Sequence, residues 1–211
     1  MKILSISDKI VSFIYSPAIK ERFGDVDLVL ACGDLPYAYQ EYVISLLNVP
    51  FYFVRGNHDL EIEYSSGEPR AYPHGGTNLH GKIVHSQGLL LAGVEGSIRY
   101  SRRTVFQYTQ HQMWEHVLRL VPGLIFNKLV HGRYLDIFVT HAPPRGIHEG
   151  QDWAHQGINA FRWLLDTFKP RYHFHGHIHH YRPDTITETQ LGPTTVLNTY
   201  PYLQTEFEMD E

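Results

Sequence analysis

A chain of 211 residues with 43% apolar side chains can bury a substantial core, and its length suits one domain spanning residues 1–211. The balance of 18 Lys and Arg against 22 Asp and Glu argues against a surface built to grip nucleic-acid backbone, which leaves nucleic acid only as a small substrate. A single cysteine, Cys32, rules out a disulfide-stapled fold; with an acid already at Asp8 and no apolar run of spanning length, a cytoplasmic protein away from membranes is expected.

Lys2 to Ser7 reads as a buried strand that stops at Asp8. Ser16 offers an N-cap before Pro17, and Gly24 closes a helix of about two turns. Leu28 to Ala31 is a second buried run ending in Cys32-Gly33-Asp34. Tyr39, Tyr42, Val43, Leu46 and Leu47 then mark one face of a helix that stops before Pro50. Phe51 to Val54, the third run, leads into Arg55-Gly56-Asn57-His58-Asp59. This alternation predicts right-handed crossovers and a largely parallel sheet.

Glu61 to Gly81 lacks periodicity and is expected to form a long loop, able to lie over a site as a lid. Lys82 to His85 and Leu89 to Gly93 predict a hairpin around Gln87-Gly88. The irregular stretch from Glu95 to Tyr108 carries Arg99, Arg102 and Arg103, either a solvated face or a contact to substrate phosphate. Thr109 and Gln112 form a capping-box pair before a helix that Pro122 restarts or kinks toward Gly132. Tyr134 to Val139 is a fourth strand, delivering Thr140-His141. A loop with His148, Asp152 and His155 precedes a helix through Ile158, Phe161, Leu164, Leu165 and Phe168. The fifth strand begins Tyr172-His173-Phe174-His175 and leaves at Gly176 toward His177 and His179. Thr185 to Thr189 and Thr194 to Thr199 predict a closing hairpin, and the acidic tail after Gln204 is expected to fray.

Five apolar runs therefore finish on Asp8, Asp34, Asn57 with His58, His141, and His177 with His179. Each alone has a local explanation as a cap or turn residue. In open α/β sheets, however, the carboxyl ends of the strands form the ligand crevice, which would bring all five together. Mixed oxygen and imidazole donors without thiolate suit Mn, Fe, Co or Zn, and a bridging carboxylate would hold two ions in the arrangement used for phosphate chemistry.

Gly33-Asp34, Gly56-Asn57-His58-Asp59, Thr140-His141 and Gly176-His177-Ile178-His179 resemble, in order and spacing, the calcineurin-like metallophosphoesterases. The resemblance implies an α/β sandwich of two mixed sheets flanked by helices, and a site for two divalent ions. It implies that Asp8, Asp34 and His179 hold one ion and Asp34, Asn57, His141 and His177 the other. His58 would protonate the leaving oxygen of a small phosphorylated substrate, monoester or diester, with Asp59 orienting it and Asn57 stabilising charge on phosphate. The sequence departs from the family's first motif, Asp-x-His, by placing Ile10 where a histidine ligand belongs. Three outcomes follow: a weak or water-completed first site, a substitute ligand such as His148 or His155, or loss of catalysis. The resemblance thus favours a metal-dependent phosphohydrolase, against a non-catalytic scaffold or a mononuclear metal sensor.

Overall fold

A computed structural model describes residues 1–65, 68–102, 105–182 and 184–207. Among them, five strands form one mixed sheet in the order β15 (Tyr202–Glu206), β1 (Lys2–Ile6), β2 (Leu28–Ala31), β3 (Phe51–Phe53), β6 (Thr77–Asn78). Six form a second in the order β13 (Glu188–Leu191), β14 (Thr194–Asn198), β12 (Tyr172–His175), β11 (Ile137–Thr140), β8 (Leu89–Val94), β7 (Ile83–Ser86). A hairpin of β4 (Glu63–Ser65) and β5 (Glu68–Arg70) and a parallel pair of β9 (Ser97–Ile98) and β10 (Gln107–Tyr108) stand apart from them.

Alternation along the strands sorts side chains into three layers. Leu28 and Leu30 of β2 meet Ile137 and Val139 of β11, Leu89, Leu91 and Phe174 between the sheets. Val29 and Ala31 turn the other way, onto Ile19 and Phe23 of α1 (Ala18–Phe23) and Tyr39 and Val43 of α2 (Tyr37–Leu47). The second sheet covers its outer face with α3 (Gln110–His131) and α4 (Asn159–Phe168), packing Met113, Val117, Phe161 and Leu164 on Phe138 and Val94. The result is the expected sandwich, helices outside two mixed sheets.

Several local features follow from chemistry legible in the chain. Gln87 and Gly88 both take positive φ (49° and 81°), the two-residue turn that matches strand twist in a β7–β8 hairpin. The Thr109 hydroxyl accepts from the Gln112 amide at 3.2 Å while Gln112 Oε1 accepts from the Thr109 amide at 2.9 Å, a reciprocal capping box. Three expectations change. The helix after Thr109 runs unbroken through Pro122, because Val117, Leu120 and Leu124 are buried against the sheet on both sides of the ring. The stretch from 61 to 81 is not an unstructured loop but holds β4, β5 and β6. The tail is no frayed end as far as residue 207: β15 pairs antiparallel with all of β1, and Phe207 is buried between the sheets.

Strand register sets the position of the functional edge. Ile6 lies beside Ala31 and Ala31 beside Phe53, all parallel, so Asp8, Asp34 and Asn57 emerge at one level. In the second sheet Val94 pairs with Thr140 and Val139 with Phe174, which brings His141 and Gly176 to the same rim.

Candidate metal centre

Asp8, Asp34 and His177 leave their strands with φ of 61°, 56° and 67°, in the left-handed region that non-glycine residues enter at a cost of about 1–3 kcal/mol. Such strain persists only where neighbours over-determine it, and here they do. Asp8 Oδ2 accepts the His177 amide at 2.9 Å, Asp34 Oδ1 accepts the His58 amide at 2.8 Å, and the Asp8 amide donates to Gly33 O at 3.1 Å. Gly176 lets the two sheets approach: a Cβ there would stand 2.5 Å from Asp8 Oδ2 and 2.8 Å from Ser7 Cβ.

His141 is fully buried, and its Nδ1 donates to the Cys32 carbonyl at 2.7 Å. A carbonyl can only accept, so the other nitrogen, Nε2, is aimed at Asn57 Oδ1 (2.9 Å) and Asp34 Oδ2 (3.3 Å). The Asn57 amide nitrogen donates to the Tyr100 hydroxyl at 3.0 Å, which turns its oxygen toward His141. These three atoms thus face one point and require a positive charge among them, which a proton on Nε2 or a metal ion supplies. The acceptor atoms of Asp8, Asp34 and His141 all lie within 4.8 Å of one another. Burial alone would raise the Asp34 carboxyl and lower His141, but their mutual attraction wins in both, holding Asp34 below and His141 above the ordinary range.

His177 repeats the device with its nitrogens exchanged: Nε2 donates to the Ala154 carbonyl at 2.9 Å, leaving Nδ1 as a lone-pair donor. Burial, then the His141 charge, lowers His177 to about 4, so the ring is neutral at neutral pH, the form that binds metal. Ligand histidines with the far nitrogen tied to a backbone oxygen are the usual outer-shell arrangement of metal sites. His179 Nε2 lies 3.2 Å from Asp8 Oδ1, and the ring stacks on Tyr200 with centroids 4.5 Å apart. The donor set therefore fits divalent ions bound by nitrogen and oxygen.

Asp8, Asp34, Asn57, His58, Tyr100, Ala154, His155, His177 and His179 line one cavity. His58 is exposed at its rim, beside a second cleft that continues along Leu35, Pro36, Leu60 and Glu63. Asp59 is buried and accepts the amides of Gly56 (2.7 Å), Asp34 (3.1 Å) and Leu35 (3.0 Å). Its carboxylate therefore braces the loops that carry Asp34 and His58, and among the described residues it makes no bond to the His58 ring. Burial, then the Asp34 charge, pushes its carboxyl upward, against the Gly56 amide, the His141 charge and the Asp34 amide.

The two substitute candidates part company. His148 is tied between His175 Nε2 (2.8 Å) and Thr189 Oγ1 (2.9 Å), away from the cavity. His155 lines it. Ile10 is 45% exposed and is not among the lining residues. The guanidinium of Arg99 is engaged by Gln107 O (3.2 Å) and Gln112 Oε1 (3.1 Å), so it supports α3 rather than reaching phosphate. Arg102 is absent from the lining, and Arg103 lies outside the described residues. The member of that segment in the site is Tyr100, which no sequence signal distinguished from its neighbours. Among the described residues no helix is long and apolar enough to cross a membrane.

A family model for calcineurin-like phosphoesterases matches residues 1–181. An uncharacterised protein of Methanocaldococcus jannaschii is 25% identical over 214 residues, covering 95% of this chain and 88% of its own. Among solved structures, TT1561 of Thermus thermophilus is similar with a TM-score of 0.62 at 18% identity, over 94% of this chain and 88% of that one. A phosphopantetheinyl hydrolase from Mycobacterium tuberculosis is similar with a TM-score of 0.53 at 12% identity, over 94% and 88%.

Proposed function

The chain belongs to the calcineurin-like phosphoesterase family, and on that premise we propose that it hydrolyses a phosphomonoester or phosphodiester bond in a small substrate, with two divalent ions as cofactors. The observation that carries the reading is the set Asp34 Oδ2, Asn57 Oδ1 and His141 Nε2, converging on one point with Asp8 beside them. Asp8, Asp34 and His179 would hold one ion, and Asp34, Asn57, His141 and His177 the other. When bound, such ions polarise phosphoryl oxygens and lower the pKa of a water to about 7.

The chain's own residues supply the rest. His58, exposed where the two clefts meet, donates a proton to the departing oxygen while its amide stays on Asp34. Asn57, oriented by Tyr100, offers its amide to the charge that grows on phosphate. Asp59 keeps the loops of Asp34 and His58 in register. The chain acts as one metallophosphoesterase domain, and the lone buried Cys32 suits the reducing cytoplasm. The test is chelator-stripped protein reconstituted with Mn, Co, Fe or Zn and assayed on nitrophenyl phosphate and bis-nitrophenyl phosphate. Turnover with at least one metal is expected; no hydrolysis with any of them, from folded protein, would leave the non-catalytic scaffold as the better account.

A further inference from the structure

The loop from Glu149 to Gly157 is built around His155. Asp152 Oδ1 accepts the His155 amide at 3.1 Å, and the same carboxylate holds ring Nδ1 at 2.7 and 2.8 Å. The Gly150 amide donates to His155 O at 2.9 Å, and a Cβ on Gly150 would stand 2.6 Å from that of His155, so only glycine leaves the side chain in place. The loop is pinned on both flanks: Trp153 Nε1 donates to Arg99 O at 3.0 Å, and Ala154 O accepts His177 Nε2. The His155 ring lies 5.1 Å from that of His177 and lines the same cavity as Asp8, Asp34 and His179. With Nδ1 committed to a carboxylate, Nε2 keeps its lone pair, and among the described residues it has no hydrogen-bond partner.

This is the outer-shell device already seen at His141 and His177, with a carboxylate in place of a carbonyl, which fixes the tautomer and the orientation of the ring. We propose that His155, held by Asp152, supplies through Nε2 the imidazole donor that Ile10 cannot, so that the cavity keeps two ions despite the altered first motif. The inference rests on the two-ion reading of the site. Its consequence is that ion affinity depends on a loop residue outside the strand-end motifs.

The test is cobalt(II) titration of the chelator-stripped full-length protein, followed by calorimetry and by the visible absorption of the bound ion. The unaltered chain should bind two equivalents. His155→Ala should retain one, bind the other at least about 10-fold more weakly and lose visible band intensity; Asp152→Asn should cost about 10–100-fold with both donors still present. Both variants should stay folded with at most a small drop in melting midpoint, because the ring is half-buried and its carboxylate exposed. Two cobalt ions bound by His155→Ala with parental affinity and spectrum would overturn the proposal and leave the phosphoesterase reading intact. A parent chain that takes up no cobalt would overturn both.

Discussion

Glu95 is the place where stability and the site meet. Its carboxylate accepts Arg55 Nε at 2.8 Å, Arg55 Nη2 at 3.3 Å and the Tyr108 hydroxyl at 2.9 Å. Arg55 immediately precedes Gly56-Asn57-His58, and its carbonyl receives the Gly96 amide at 2.8 Å. The guanidinium also lies 4.1 Å above Phe106 and 5.2 Å above Tyr72. Side-chain exposure is 14% for Arg55 and 3% for Glu95, so the pair is desolvated and Glu95→Ala leaves a cation without its anion. Breaking one side of a buried pair costs about 3–5 kcal/mol, a large part of the roughly 5–15 kcal/mol that stabilises a native chain. At about 2–4 °C per kcal/mol for a chain of this size, the melting midpoint should fall by about 6–20 °C in calorimetry. Glu95→Gln keeps the volume and an acceptor for Tyr108, and should fall less. A drop below about 2 °C for Glu95→Ala would mean that the pair behaves as a surface ion pair and that the His58 loop is anchored otherwise.

Gly176→Ala should weaken metal binding at least about 10-fold by pushing Asp8 off its place, since a backbone-held ligand displaced by fractions of an ångström loses its geometry; calorimetric titration that matches the parent would show the two sheets can part freely. Asp34→Asn should lower both ion content and turnover, because the carboxylate faces Asp8 and His141 at once; two retained equivalents by mass spectrometry would count against bridging. His173 donates Nε2–H to Thr140 Oγ1, and its Nδ1 has no partner among the described residues. Burial, then the His148 charge, lowers it to about 3. Because that folded value lies below the ordinary 6.5, the unfolded chain binds the proton first, and stability should decline as pH falls from about 6.5 toward 3. His173→Phe should flatten that acid limb in denaturant titrations, and an unchanged slope would show that His173 does not carry it.

The sandwich and the rim were legible because each parallel strand declares itself twice, by an apolar run and by the polar residue that ends it. Leu28 to Ala31 followed by Gly33-Asp34 is the clearest case, and the observed strand has those bounds. Tyr202 to Glu206 was obscured by Gln204, Thr205 and Glu206: as an edge strand it needs only one buried face, so its pattern of half-buried residues carries little apolar signal. The outer shell of the site was hidden for a different reason. The carbonyls of Cys32 and Ala154, which decide the tautomers of His141 and His177, are the same atom in every residue type and leave no mark in a sequence. Tyr100 reaches the cavity, and His155 does so where His148 does not, through loop conformation, which periodicity does not report. Arg99, singled out by charge, is spent on Gln107 and Gln112 instead.

The central claim, that the strand-end cavity is a phosphoester-cleaving centre with His58 as its acid, is tested most directly by His58→Ala with ion content and turnover measured on one preparation. The ring is exposed at the rim, and the amide bond to Asp34 survives the substitution. Turnover of a nitrophenyl diester should fall by about 10²–10⁴-fold while both ions stay bound. Turnover that persists at the parental rate, or ions lost together with activity, would contradict the role assigned to His58.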